Sequence, residues 1–320
     1  MRRQRLSFWV PLFLKILERV GAVAMTGVRF MVGEGEGRGE VVDEVGEGGE
    51  EGKGKGERLT SIVHRGKYVE GLLAEIPGDR VHVSKKLASV ERRRKRGNEG
   101  ENVGEGKGKG EGEGPITLHF TDGSTYECDI LVGADGIHST AREFILGPDD
   151  PAAKPRNTGL WLVMTLQPYA KAREIMDREF VDARDPREYS WVGQGTYGKG
   201  SKEKEGKRGN GSYILHNVLR DAEVVQFVVG SSDSVDEAGD RWMRSVAREE
   251  MRDLYRGWTE NLRNAVEEFL CQQPEHTAFY LWEHPQRVHT SRDRSASSAT
   301  QRTRRRLSRG PAAGWLSRIC

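Results

Sequence analysis

Residues 129–142 run Asp129-Ile-Leu-Val-Gly-Ala-Asp-Gly-Ile-His-Ser-Thr-Ala-Arg142. The apolar Ile-Leu-Val run predicts a short buried strand that delivers the chain to Gly133, Asp135 and Gly136, where small residues let backbone approach a ligand closely. Asp135 at such a strand end can accept from ribose hydroxyls or orient a neighbouring arginine. A helix start follows. Ser139 and the next amide donors present partial positive charge suited to a pyrophosphate, and Arg142 is near enough in sequence to add a full charge. Taken alone, the stretch also reads as a tight strand-to-helix turn whose glycines are there for steric reasons.

Just upstream, Thr121-Asp-Gly-Ser124 is a tight-turn signature between two β-prone segments, Pro115 to Phe120 and Thr125 to Cys128. Leu87 to Glu91 adds a third, so the region predicts a meander that ends in the Asp129 strand. Further upstream, Ile62, Val69, Leu72, Leu73 and Ile76 recur at helical spacing between Leu59 and Ile76, Pro77-Gly78-Asp79 stops that element, and Val81-His-Val83 starts a strand. Phe13, Ile16, Leu17 and Val20 share one face of an amino-terminal helix. Lys15, Glu18 and Arg19 interrupt what would otherwise imitate a signal peptide. Downstream, Gly159 to Leu166, Tyr189 to Val192, Ser212 to His216 and Glu223 to Val229 are rich in β-branched and aromatic residues and predict one antiparallel sheet. Ser245 is placed to cap a helix with Met251, Leu254, Tyr255 and Trp258 on one face, and Leu262, Val266, Phe269 and Leu270 mark the next.

Of the 40 glycines in 320 residues, 23 fall in the stretches 33–57, 97–114 and 198–211, where they alternate with charge. These read as polar, irregular loop insertions in an otherwise globular sequence. The length suits two domains, 1–150 and 151–290, followed by a disordered basic tail, 291–320. That tail has eight arginines against one aspartate, whereas 1–290 is mildly acidic with 43 basic and 48 acidic residues. The balance argues against a nucleic-acid-binding body, and no aromatic residue interleaves Arg302-Thr-Arg-Arg-Arg306 to stack on bases. No nucleic-acid partner is expected. Without a run of 18 apolar residues, neither is a membrane span. Cys128, Cys271 and Cys320 are odd in number and lack metal spacing, which points away from a disulfide framework or zinc site and toward a reducing, cytoplasmic compartment.

The 129–142 string closely resembles the second nucleotide-contact motif of the class A flavin-dependent aromatic hydroxylases, salicylate hydroxylase-like members included. Ile62-Val-His-Arg-Gly-Lys-Tyr-Val-Glu-Gly-Leu-Leu73 resembles the His-Arg helix start of that family, in which the arginine at the position of Arg65 contacts the FAD. Gly159-Leu-Trp161, Trp191-Val-Gly-Gln-Gly195, Trp258 and Leu281-Trp-Glu-His-Pro285 recur in the family's order. The resemblance implies an α/β fold, with a partial Rossmann-like FAD-binding lobe and an antiparallel-sheet substrate lobe with helices. It implies FAD as cofactor, NAD(P)H as reductant, and O2 and a small salicylate-like aromatic as substrates. Arg65, Gly133, Asp135, Gly136, Ser139 and Arg142 become the cofactor-binding candidates, with Arg65 and Asp135 on one nucleotide. A flavin carries the hard chemistry itself, so no metal and no acid–base constellation is expected, and His64 and His138 are read as positional.

The sequence also departs from that family. No Gly-x-Gly-x-x-Gly turn precedes Arg65, and the family's later Gly-Asp motif is replaced by the Ser/Arg-rich tail. Read one nucleotide back, Ser295 through Arg304 become compatible with Val-Cys-Leu-Leu-Gly-Asp-Ala-Ala-His-Ala, which resembles that motif. The alternative function is a non-enzymatic remnant with a disordered, basic interaction tail.

Overall fold

A computed structural model of the chain describes residues 6–46, 60–94, 113–193, 211–219, 223–285, 291–292 and 295–297. In chain order the elements begin with α1 (Leu6–Arg19), β1 (Val23–Met25), β2 (Gly27–Val32), β3 (Val41–Gly46), β4 (Thr60–Ile62) and α2 (Arg65–Leu73). Next come β5 (Leu87–Arg94), β6 (Glu113–Phe120), β7 (Thr125–Cys128), β8 (Leu131–Gly133), α3 (Thr140–Leu146), β9 (Arg156–Pro168), α4 (Tyr169–Ile175) and β10 (Arg187–Val192). The chain continues through β11 (Tyr213–Leu219), β12 (Val224–Ser232), α5 (Val235–Ala238), β13 (Met243–Ala247), α6 (Arg248–Leu254), α7 (Glu260–Phe269) and β14 (Glu275–Glu283). The last two elements are β15 (Ser291–Arg292) and β16 (Ser295–Ser297). They form two units interleaved along the sequence: the first holds described residues up to 77 and from 157 to 281, the second those from 78 to 156 and beyond 281.

The first unit is built on an eight-stranded sheet in the order β13-β14-β9-β12-β11-β10-β2-β3. Strands β9 to β12 carry the predicted antiparallel sheet, and their neighbours pair antiparallel at β9–β12, β12–β11 and β11–β10. The parallel pairing of β10 with β2 was not expected; it joins residues more than 150 positions apart. Side chains alternate between faces along each strand. Register places Tyr189 opposite His216 and His216 opposite Phe227, so these three share one face with Trp191. Helix α7 covers that face, with Phe269 edge-on to Phe227 at 5.2 Å, and Phe180 stands edge-on to Trp191 at 5.0 Å. On the other face, Leu219 packs with Met25 of β1 and Ile62 of β4, which form their own two-stranded sheet. Helix α1 packs on α2 at Gly71, where a Cβ would come within 2.7 Å of Val20, and Arg19 donates to the Gly71 carbonyl at 2.8 Å.

Four local expectations are corrected. The first glycine-rich stretch is not an irregular loop over its described part: residues 33–46 turn and return as β3, antiparallel to β2. Gly35, Gly37 and Gly39 have φ of +85°, +78° and +92°, a turn that only glycine adopts without strain. Glu44 then fixes the edge strand by accepting from Arg29 and Arg187. Residues 47–57 and 97–112, and 198–210 of the third stretch, lie outside the described residues. The region from Leu59 to Ile76 is not one helix, because Thr60–Ile62 pairs with β1 before α2 begins. Val81-His-Val83 forms no strand; Val81 N–H bonds back to Gly78 O at 3.2 Å, and Val83 is 77% exposed and pairs with no strand among the described residues. Ser245 does not cap a helix, since β13 continues through it in pairing with β14, and its hydroxyl donates to Glu275 at 2.7 Å.

The second unit contains the predicted meander. β5, β6 and β7 pair antiparallel, and the Thr121–Ser124 turn closes with Gly123 at φ +83°. β8 lies in a separate three-stranded sheet, where β16 pairs with it in parallel and β15 pairs with β16. The start of the supposedly disordered tail therefore contributes backbone to this sheet; residues 298–320 lie outside the described residues. The α/β class, with a large mainly antiparallel sheet and helices, agrees with expectation.

Candidate functional site

Strand β8 delivers the chain to Gly133 as the sequence implies, but it is not buried: Ile130 and Val132 are 67% and 63% exposed. Among the described residues one strand, β16, flanks β8, and the side chains of Ile130 and Val132 are left largely uncovered. Gly133 is required by close packing on the following helix, since a Cβ there would lie 2.5 Å from that of Ala141. Gly136 has φ +75° and open space where a side chain would stand, leaving its main chain bare. Ala134, Asp135, Gly136 and His138 are all exposed, so this turn is accessible.

The polar groups of the turn are tied to α3. Asp135 Oδ1 accepts from Ser139 Oγ at 2.5 Å, and Oδ2 accepts from the Ala141 amide at 3.1 Å. Ser139, the residue before α3, is buried and accepts from the Arg142 amide at 2.9 Å. Two of the amide donors expected to face a pyrophosphate, those of Ala141 and Arg142, are thus satisfied within the chain. Arg142 is 3% exposed, and its guanidinium donates to the Ala152 carbonyl at 2.6 Å and the Pro285 carbonyl at 3.5 Å. It ties α3 to the following loop and to the Leu281–Pro285 segment. His284 reaches back in the same region, with Nε2 2.9 Å from Ile137 O. Replacing Asp135 by Ala removes two bonds that hold the α3 start, and a loss of about 1–2 kcal/mol in urea unfolding is expected. An unchanged midpoint would show that the carboxylate does not fasten this helix.

Arg65 belongs to the first unit, where it is the first residue of α2 and exposed. His64 caps the helix, its Nδ1 accepting from the Lys67 amide at 3.5 Å, which is the positional role expected of it. Ile62, two residues before the cap, is anchored in the Met25–Leu219 core, so the start of α2 is set by the end of the large sheet.

The same sheet carries polar residues that the sequence reading did not single out. On the face opposite Trp191, Asn217 of β11 stands directly across from Gln226 of β12, and one step back along β10 the antiparallel register brings Glu188 beside Asn217. Asn217 and Gln226 are 1% and 3% exposed. Among the described residues, neither Asn217 Oδ1 nor Nδ2 has a hydrogen-bond partner. Gln226 Nε2 donates to Met164 Sδ at 3.3 Å, a weak acceptor. Burial pushes the Glu188 carboxyl up to about 7. The signal in the sequence is slight: single polar residues, such as Gln226 within Val224-Val-Gln-Phe-Val-Val229, interrupt apolar strands.

No protein-family model matches the chain. The fold is that of solved aromatic hydroxylases. A salicylate hydroxylase in complex with substrate superimposes with a TM-score of 0.59 at 17% identity, over 91% of this chain and 64% of that one. The 2,6-dihydroxypyridine-3-hydroxylase of Arthrobacter nicotinovorans gives 0.56 at 14% identity, over 91% and 65%. By sequence, the relatives are flavin-dependent monooxygenases of the salicylate hydroxylase type, which bears out the resemblance read from residues 62–73 and 129–142. The 6-methylsalicylate 1-monooxygenase of Aspergillus terreus is 28% identical over 234 residues, 71% of this chain and 44% of that protein. The salicylate hydroxylase of Pseudomonas putida is 25% identical over 218 residues, 65% of this chain and 41% of that protein. The chain thus spans less than half the length of these curated relatives. Among the described residues no helix is long and apolar enough to cross a membrane, and no group of three or more His, Cys, Asp or Glu side chains could hold a metal ion.

Proposed function

We propose that the chain carries the substrate sheet and part of the FAD-binding region of a monooxygenase that hydroxylates a small aromatic ring with NAD(P)H and O2. The observation that carries this reading is the open turn at 133–136, whose Gly133 packs the strand on the helix while Gly136 leaves main chain bare for a ligand. Its relatives' names point the same way. The residues present fit a nucleotide at this turn in an unequal way. Asp135 and Gly136 stand exposed at the strand end as the direct contacts, while buried Gly133 lets β8 pack closely on α3. Ser139 and Arg142, both buried, hold the turn and α3 in place and act on the cofactor through that geometry. Arg65, exposed at the start of α2, is the cofactor contact of the first unit and the side chain free to supply a full charge.

Bound FAD would supply the chemistry, accepting electrons from the nicotinamide and using O2 to oxygenate an activated ring. The chain's own residues have the tasks of binding, orienting and excluding water. The apolar strands β9, β11 and β12 provide a rigid, water-poor support for a ring, and His64 sets the entry of α2. A reducing, cytoplasmic setting suits this chemistry and the two described cysteines, Cys128 and Cys271, which are free thiols.

The test is a flavin titration of the purified chain followed by a nicotinamide-oxidation screen against small aromatics. Weak FAD uptake at most is expected, because two of the family's three contact motifs are missing, and where uptake is measurable Arg65→Ala should weaken it by about 1–3 kcal/mol through a lost charged hydrogen bond. Equal FAD affinity in the variant removes Arg65 from the site. A chain that takes up no FAD favours the remnant reading.

A further inference from the structure

We propose that His284 is a positioning residue for the open turn: from 147 residues along the chain, its neutral imidazole latches Gly136–His138 in place, and a second proton on the ring releases it. The latch is read from contacts within the second unit. That it serves a nucleotide rests on the monooxygenase reading.

The need for a latch follows from the local backbone. Gly136–His138 is a single 3-10 turn, Asp135 before it makes no capping bond to it, and Ser139 leaves it with extended backbone at φ −62° and ψ 109°. Carbonyls at the end of a helical turn have no partner unless one is supplied. In a continuing helix Ile137 O would accept from the Ala141 amide, four residues on. That amide goes instead to Asp135 Oδ2 at 3.1 Å. The bond that fastens the start of α3 therefore leaves the Ile137 carbonyl over, and His284 Nε2 meets it at 2.9 Å. Gly136, one residue before, has φ +75° and no side chain to hold it, so the conformation of the bare main chain depends on what grips its neighbour. The same carboxy-terminal segment goes on to β16, which pairs with β8. The passage from strand to helix is thus held by β16 on the strand and by His284 on the turn.

The latch has a protonation state. A carbonyl only accepts, so Nε2 carries the proton, and in the neutral ring Nδ1 is bare. Nδ1 is buried and has no hydrogen-bond partner among the described residues. A second proton would sit there. Burial opposes it first and the Arg142 charge second, against the Ile137, Lys154 and Ala152 carbonyls, and the imidazole is held below the ordinary histidine value. Arg142 stays close because its guanidinium donates to the Ala152 carbonyl at 2.6 Å and to the carbonyl of Pro285, the residue after His284, at 3.5 Å. The carboxylates of the surrounding elements have partners of their own: Asp135 binds Ser139 and the Ala141 amide, Asp150 the Ala152 amide, and Glu283 Arg156. Lys154 and His138 are exposed. A released ring regains ordinary proton affinity, so the closed latch is favoured above the ordinary histidine value and weakens as pH falls below it.

The experiment is amide hydrogen exchange on the full chain at pH 7.5 and 5.0, read as protection of residues 136–141 relative to those of β12, with an FAD titration at both pH values. In the native chain this protection is expected to fall about tenfold at pH 5.0, and FAD affinity to fall with it. His284→Gln keeps a donor for Ile137 O and carries no titrating group, so it should retain protection and affinity at both pH values. His284→Leu fills the space without a donor and should lose protection about tenfold already at pH 7.5. An acid-induced loss as large in His284→Gln as in the native chain overturns the proposal, as does native protection that is level with pH, or full protection in His284→Leu. Should His284→Leu fail to fold, the pH profile of His284→Gln decides alone. Protection behaving as expected with no FAD uptake leaves the latch and removes the monooxygenase reading. FAD uptake with protection and affinity indifferent to His284 removes the latch and leaves that reading intact.

Discussion

Stability of the first unit stays nearly level between pH 6.5 and 4.5 and then falls below pH 4.5, because two buried groups on opposite faces of one sheet titrate against each other. His216 is fully buried and accepts from Trp191 Nε1 at 3.0 Å, and burial pushes it down from 6.5 to about 3. Between those values the unfolded chain binds a proton that the folded chain refuses, so His216 costs stability as pH falls from 6.5, by about 1.4 kcal/mol per pH unit. Glu188 has the opposite sign. Its carboxyl is raised from 4.5 to about 7, so the folded chain holds a proton that the unfolded chain releases, and its contribution is present below 4.5 and lost as pH rises to 7. Over the shared window the two slopes cancel, and below 4.5 only the His216 slope remains. Exposed carboxylates held low by arginine partners, such as Glu267 beside Arg252, add to the fall at low pH equally in every variant. Urea unfolding followed by tryptophan fluorescence at pH 3.5 to 7 reads the curve. Glu188→Gln should unmask a decline that starts at pH 6.5, amounting to about 3 kcal/mol by pH 4.5. His216→Gln, which keeps an acceptor for Trp191, should leave the opposite slope. A level profile in Glu188→Gln would show that His216 is not buried neutral.

Trp191→Ala is expected to cost about 3–5 kcal/mol, the usual penalty for emptying a buried aromatic site. The indole is fully buried, edge-on to Phe180 at 5.0 Å, and donates to the His216 ring that stacks on Tyr189 at 5.1 Å. Its removal leaves a cavity and takes the partner from His216 Nε2. Trp191→Phe keeps most of the apolar area and loses the N–H donor, so about 1–2 kcal/mol is expected. Thermal unfolding separates the two, since Trp191→Ala should lower Tm by roughly 10 °C or more. A shift of only a degree or two would mean that this face is not the core that holds the sheet to its helices.

Local chemistry decided much of this protein in advance. The β-branched and aromatic runs at Gly159–Leu166 and Glu223–Val229 could bury their side chains as strands, and Leu262, Val266 and Phe269 could share a face only as a helix. The Thr121–Ser124 turn and the Gly133–Gly136 passage from strand to helix were legible for the same reason, because the backbone angle or the close approach required is met within a few residues. Where partners come from afar, the sequence was silent. Val41–Gly46 is a strand because β2 lies beside it and two arginines seize Glu44, while Val81–Val83 pairs with no strand among the described residues. Ser245 could have capped a helix, and pairing with β14 claimed it for a strand. Arg142 sits three residues past Ser139, yet the Ala152 and Pro285 carbonyls decide where its charge goes. The row of Glu188, Asn217 and Gln226 exists only through register: three residues on three strands, invisible as a group until long-range hydrogen bonds between backbones set them side by side on one face.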